Sequence, residues 1–222
     1  MAGLGIAYFA LCNIADRYAV VTGGVKQGTS DVLNQARRYD LRSKTWEDLP
    51  RMKVARQAPS SCVLDGTVFV FCGIKGGDET PLSSVEMLTD AGASLDLIEG
   101  WRLITIPEAT LSPRWMPGVA PLNSEQIVVM GGIGIVDDET SCLGDVVIFD
   151  AGSGRAERVV PNFGGILQFV CQGNSCAQLK DDTVIAFGEK VDFDSQDVGD
   201  GTKVIVEFTK GRNLCKEISR SN

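Results

Sequence analysis

Apolar residues along this chain gather into short runs that end in glycine, each followed by a polar stretch and a second apolar run. The first copy reads RYAVVTGG (17–24) and then RRYDLRSKTWEDLP (37–50). The second reads TVFVFCG (67–73), SVEMLT (84–89) and GWRLI (100–104). The third reads QIVVMGG (126–132), GDVVIFD (144–150) and ERVV (157–160). A weaker fourth reads TVIAFG (183–188), KVIVEF (203–208) and CKEIS (215–219). Aligned on Gly23, Gly73, Gly131 and Gly188, the copies are spaced by 50, 58 and 57 residues. A repeat of this length made only of short strands predicts the blades of a β-propeller, an all-β fold.

Each unit offers four strand candidates, in the second unit 58–64, 67–73, 84–89 and 100–104. Asp65-Gly66 is the strongest hairpin turn, because this dipeptide tolerates positive φ. Ala15-Asp16, Ser124-Glu125 and Asp181-Asp182 are its counterparts. Blades stack face to face, so a run such as 68–72 is apolar throughout instead of alternating. The paired glycines are expected where backbone approaches closely or φ turns positive. Tyr39 and Trp46 are expected in the core, filling the wedge between neighbouring blades. The units, at about 5–49, 58–104, 116–160 and 173–218, predict one array over 1–222.

Composition narrows the function. The chain has 222 residues, a formal charge of −8 and no histidine. An acidic chain lacks the basic footprint of a nucleic-acid or anionic-membrane binder. Without imidazole, Ser-His-Asp and Cys-His catalysis and histidine-ligated zinc or copper are excluded. Seven cysteines, with no CxxC pair, fit a reducing cytoplasmic compartment, several of them acting as small buried hydrophobes. Cys171 and Cys176 are the one spacing suited to a redox pair. The N-terminal MAGLGIAYFALCNI lacks a basic region and leads into the first repeat, so it reads as a strand and not a signal peptide. No run approaches the length of a membrane span.

Two motifs invite ligands and fail on inspection. GGIGIVDD (131–138) superficially resembles a phosphate loop, but no helix or Lys-Ser/Thr pair follows, and its acids repel phosphate. DFDSQDVGDG (192–201) is rich in oxygen ligands, yet the sixth loop position is not glycine and the twelfth is Lys203. Neither a metal nor a cofactor is expected.

The stretch ARQAPSSCVLDGTVFVFCGIKGGDETPLSSVEML resembles a kelch repeat, as does AVVTGG with RRYDLRSKTWEDLPRM. The double glycine, the spaced Tyr39 and Trp46, and a link of Leu49, Pro50, Met52 and Arg56 carry the likeness. It thins later, with Phe149 in place of tyrosine, Arg158 near the expected tryptophan and Glu189 after Gly188. The resemblance implies a kelch-type β-propeller of about four four-stranded blades that binds another protein or peptide as a scaffold, without catalysis. Two alternatives are the substrate-receptor part of a ubiquitin ligase and a histidine-free, sialic-acid-epimerase-like enzyme acting on a sugar. No BTB, BACK or F-box segment precedes the repeats within 1–222. Galactose-oxidase chemistry is excluded with its histidine ligands. Kelch rings close with five to seven blades, so four imply a fragment, an atypical ring, or completion by another chain. An open array would leave apolar residues such as Val20, Val21, Ile185 and Val206 without a neighbour and would drive self-association.

Binding surfaces are expected on the loops at the ends of the propeller, since its strands are committed to packing. The loops after the glycines, 25–35, 74–83, 133–143 and 189–202, carry acids: Asp78 and Glu79; Asp137, Asp138 and Glu139; Asp192, Asp194, Asp197 and Asp200. The links between blades carry Arg51, Lys53, Arg56, Arg114 and Trp115, the candidate partner-binding residues. If links and loops share one face, it suits a peptide bearing both signs of charge.

Overall fold

The computed structural model describes residues 5–78, 80–160, 176–190, 202–211 and 214–220. Four antiparallel four-stranded sheets succeed one another along the chain as blades. Blade 1 comprises Ala10–Ile14, Tyr18–Thr22, Ala36–Asp40 and Thr45–Asp48. Blade 2 comprises Ser60–Leu64, Thr67–Phe71, Val85–Leu88 and Arg102–Ile104. Blade 3 comprises Gly118–Pro121, Gln126–Met130, Val146–Asp150 and Ala156–Val160. Blade 4 comprises Cys176–Lys180, Thr183–Lys190, Thr202–Thr209 and Leu214–Arg220. In each, the first strand is innermost and the strands pair in chain order. Among the described residues the one helical turn is Leu95–Leu97, and no helix is long and apolar enough to cross a membrane.

Three apolar layers lie between successive blades. Cys12, Tyr18 and Val20 of blade 1 meet Val68, Val70 and Leu88 of blade 2. On the other face of blade 2, Phe69 and Phe71 meet Ile127, Val129 and Phe149 of blade 3. The Phe149 ring stands edge-on to both Phe69 and Phe71, with centroids 5.9 and 5.4 Å away. Val128, Met130 and Ile148 of blade 3 then meet Val184, Ala186, Val206 and Phe208 of blade 4. Side chains alternate between the faces of a strand, so both alternating sets of a middle strand are covered and the run is apolar throughout. The innermost strands pack in series, and among the described residues no comparable packing joins blade 4 to blade 1. Among the described residues the four blades form an open arc.

The turn pair is shifted by one residue from the sequence alignment. Cys72 at φ 61° and Gly73 at φ 95° correspond to Gly23 and Gly24 at 66° and 97°, and to Gly131 and Gly132 at 60° and 96°. Cys72 therefore holds a left-handed conformation that costs a side-chain-bearing residue of order 1–3 kcal/mol. Gly188 differs: it lies inside the continuous strand Thr183–Lys190, opposite Val204, and ends nothing. The start of the fourth unit at 173 and the acidic run 192–200 lie outside the described residues.

Trp46 and Tyr39 are not core residues. Tyr39 is half-buried and Trp46 is 37% exposed. The two rings pack together at 5.1 Å on the face of blade 1 that points away from blade 2. In the equivalent place on blade 2, Trp101 precedes the outer strand beside Leu88 and is 3% exposed, because blade 1 covers it. Its indole N–H donates to the Pro50 carbonyl at 2.7 Å, fixing the link between the blades. Val20, Val21 and Val206 are likewise buried, and of the four residues expected to lack a neighbour only Ile185 is partly exposed. Replacing Trp101 with alanine should therefore destabilise the fold by roughly 3–5 kcal/mol, and Trp46→Ala by about 1 kcal/mol or less. Urea unfolding of the two variants measures the contrast; equal losses would contradict it.

Candidate functional site

The links and the loops after the turn pairs come together at one end of the blades. The two residues that lead into an inner strand pair with the segment after the turn pair of the same blade. Ile6–Ala7 pairs with Val25–Lys26, Arg56–Gln57 with Ile74–Lys75, and Arg114–Trp115 with Ile133–Gly134. These ribbons press on the glycines. A Cβ on Gly24 would sit 2.6 Å from the Ala7 carbonyl oxygen, and one on Gly73 or Gly132 would sit 2.8 Å from that of Gln57 or Trp115. Only glycine fits there, at positive φ and against backbone.

Arg56 and Arg114 do not present themselves to a partner. Both are fully buried and act as latches between blades. The Arg56 guanidinium donates to the Cys72 and Ser84 carbonyls at 2.8 and 3.1 Å, to Ser84 Oγ at 3.0 Å and to Glu86 Oε1 at 3.2 Å. Glu86, equally buried, also accepts the Lys53 and Val54 backbone N–H groups at 2.6 and 3.1 Å. The Arg56 carbonyl meanwhile accepts the Gly24 N–H at 2.8 Å. One residue thus holds blade 1 through its backbone and blade 2 through its side chain. Burial pulls the Arg56 pKa down while Glu86 pushes it back up.

Arg114 repeats the device between blades 2 and 3. Its two terminal nitrogens grip Asp145 at 2.6 and 2.8 Å, one of them also reaches the Gly131 carbonyl at 2.9 Å, and its own carbonyl accepts the Gly73 N–H at 2.8 Å. Such two-pronged arginine–carboxylate pairs are strong and directional. Asp145 and Ser84 precede their third strands at the same place, so in blade 2 the carboxylate has moved two residues on, to Glu86. Sequence reasoning missed both acids; the available signal was an acid at the start of the third strand, in SVEML and GDVVI.

The groups left facing solvent at this end are others. Arg51 and Lys53 are exposed, and Trp115 is half-buried against Ile133 and Cys142. A hairpin of Ile133–Val136 and Glu139–Cys142 carries Ile135 and Val136 outward, 52% and 45% exposed. Its tip is Asp137-Asp138, both at positive φ. In the sequence this stretch reads as a loop, which hides the exposed apolar pair. Asp78 is held by Lys75 at 2.9 Å, which lowers its pKa. Glu79 and the acids at 192–200 lie outside the described residues.

At the axis, a cavity of about 240 Å³ is lined by the inner strands of all four blades, among them Asn13, Ser61, Val119 and three cysteines, Cys12, Cys62 and Cys176. Burial pushes the Cys12 thiol up to about 12 and raises Cys62 well above its ordinary value, so both stay protonated and unreactive near neutrality. Cys171, the expected redox partner of Cys176, lies outside the described residues. Among the described residues no cluster of three Cys, Asp or Glu is placed to hold a metal ion.

If the latches hold the blades, Arg56→Ala strands the buried Glu86 carboxylate and should cost about 3–5 kcal/mol. Replacing both, as Arg56→Met with Glu86→Leu, should cost less than the single change, and the exposed Arg51→Ala should stay within about 0.5 kcal/mol. Chemical unfolding ranks the three; a harmless Arg56→Ala would contradict the latch.

No family model matches the chain. Curated proteins named as F-box/kelch-repeat proteins of Arabidopsis thaliana do. One is 27% identical over 139 residues, 63% of this chain and 32% of that protein. A second is 40% identical over 60 residues, 27% of this chain and 20% of that protein. A third is 34% identical over 84 residues, 34% of this chain and 20% of that protein. The matched region thus spans at most about a third of these relatives. With its glycine-terminated repeat and four-stranded antiparallel blades, the chain is an all-β, propeller-type protein similar to these kelch-repeat proteins.

Proposed function

We propose that the chain is a non-catalytic protein-interaction module that binds a partner protein or peptide through the end carrying the links and ribbons. The observation that supports this most is the division of labour there. Arg56, Arg114, Glu86 and Asp145 are consumed inside, while Arg51, Lys53, Trp115 and the Ile135-Val136 pair remain available. A basic pair, a half-buried tryptophan and an exposed apolar ribbon with an acidic tip are the chemistry of a protein contact surface. A peptide with an apolar anchor and flanking charges of both signs fits it.

The names of the relatives favour a second, more specific reading, in which this module is the substrate-receptor part of a ubiquitin ligase. Both readings place recognition on the same end.

Affinity capture with the purified chain, followed by mass spectrometry, tests the surface. Proteins retained by the wild type should be lost with Arg51→Glu/Lys53→Glu and with Ile135→Asp, and kept with Arg42→Glu at the opposite end. Retention unchanged in both surface variants would reject the assignment. Among the proteins lost, ones that become ubiquitinated only when this chain is present would carry the ligase reading.

A further inference from the structure

Blade 2 carries an insertion that its neighbours lack. Between the third and fourth strands, blade 1 turns over residues 41–44 and blade 3 over 151–155, whereas blade 2 takes the whole of 89–101. Leu88 pairs with Val68, beside the Asp65-Gly66 turn, so this connection leaves blade 2 at the end opposite the links. Insertions in a repeat array map to loops on one face, and such loops often carry binding.

Both stems of the insertion are built into the fold. Ala91, Ile98 and Trp101 are buried in the layer between blades 1 and 2. Arg38 of blade 1, itself buried, donates to the Ala91 and Ala93 carbonyls at 2.8 and 2.6 Å and to Glu47 at 2.6 Å. Its guanidinium lies 4.5 Å from the centre of the Tyr18 ring. A Cβ on Gly92 would sit 3.2 Å from Ile14, so the loop lies close on blade 1. The Ala93 N–H donates to the Asp90 carbonyl at 2.7 Å, and the Leu97 N–H to that of Ser94 at 2.9 Å, which closes the turn Leu95–Leu97. The tip is thus fixed from its base, yet no residue of this turn is buried, and Leu95 and Leu97 are 43% and 66% exposed. One exposed leucine is ordinary; two on a single anchored turn that packs on no blade make an apolar contact point. Asp90, Asp96 and Glu99 are exposed around it, and 89–101 contains no Lys or Arg.

We propose that the tip of this insertion is a second docking site, for a protein segment that pairs an apolar stripe with flanking Lys or Arg side chains. The stripe covers Leu95 and Leu97, and the basic side chains meet Asp90, Asp96 and Glu99. Covering the leucines supplies affinity. The opposite charges supply orientation and a salt-dependent rate of association. The Arg38 contact holds the base in place before the partner arrives, which lowers the ordering cost of binding. The same acids repel a nucleic acid or an anionic lipid surface. The site lies at the other end of the blades from the surface in the proposed function and does not rest on it.

Isothermal titration calorimetry on the full 222-residue chain tests it, with a synthetic amphipathic Leu/Lys peptide as the probe. Wild type should bind this peptide about tenfold or more tightly than a Ser/Lys peptide of the same charge or a Leu/Glu peptide of the same pattern. Leu95→Ser/Leu97→Ser and Asp96→Lys/Glu99→Lys change exposed side chains, so both should keep the wild-type circular dichroism spectrum while losing about tenfold in affinity. Ile135→Asp, at the link end, should bind the peptide as wild type does. Carbodiimide crosslinking of the wild-type complex gives a reading that needs no variant: the peptide lysines should join to Asp90, Asp96 or Glu99. No preference for the Leu/Lys peptide, undiminished binding in either folded loop variant, an equal loss with Ile135→Asp, or crosslinks confined to other acids would each overturn the proposal.

Discussion

A sheet that is apolar on both faces must be covered on both faces, and the rest of this structure follows from that constraint. Val68 and Val70 turn one way into blade 1 while Phe69 and Phe71 turn the other way into blade 3. A fully buried side chain of this kind contributes about 1.5–3 kcal/mol, but only while its neighbour stays in place. A blade is therefore not stable alone, and its partners must be held at a fixed spacing. The latch arginines do this. They tie the backbone of one blade to the turn pair and third strand of the next, with every prong of the guanidinium engaged at a point where water is excluded.

Charge at the link end is thereby divided between two tasks. A buried arginine with its carboxylate and carbonyl partners specifies geometry and contributes nothing to recognition. Arg51 and Lys53, five and three places before Arg56 on the link, stay exposed. In the proposed function the same chain segment both fixes the frame and presents the contact surface, and a surface held rigid in this way has a low ordering cost on binding.

The architecture was legible in the sequence because it rests on local signals: apolar runs, a hairpin at Asp65-Gly66, glycines at a fixed phase. All of these report backbone conformation within a few residues. What failed was long-range. Trp46 and Trp101 hold the same place in their blades; Trp101 is buried because blade 1 covers it, while no described blade covers Trp46. Arg56 and Arg114 looked like surface groups because their acids, Glu86 and Asp145, lie about thirty residues away and in different registers. The one-residue shift that puts Cys72 in a glycine position was also hidden, since local pattern gives no reason to place a cysteine at φ 61°.

Cys72 sits where all of this converges. Its carbonyl takes the Arg56 latch, its strand ends at the Gly73 N–H that binds the Arg114 carbonyl, and its side chain is fully buried, with the thiol pushed up to about 11 by that burial. Native-state thiol alkylation across a urea series, resolved by peptide mass spectrometry, therefore tests the stacked, latched arc most directly. The account predicts that Cys72 is modified only through global unfolding, with an opening free energy equal to that of the whole chain. Rapid labelling of Cys72 in native buffer, or at a urea concentration well below the unfolding transition, would contradict it.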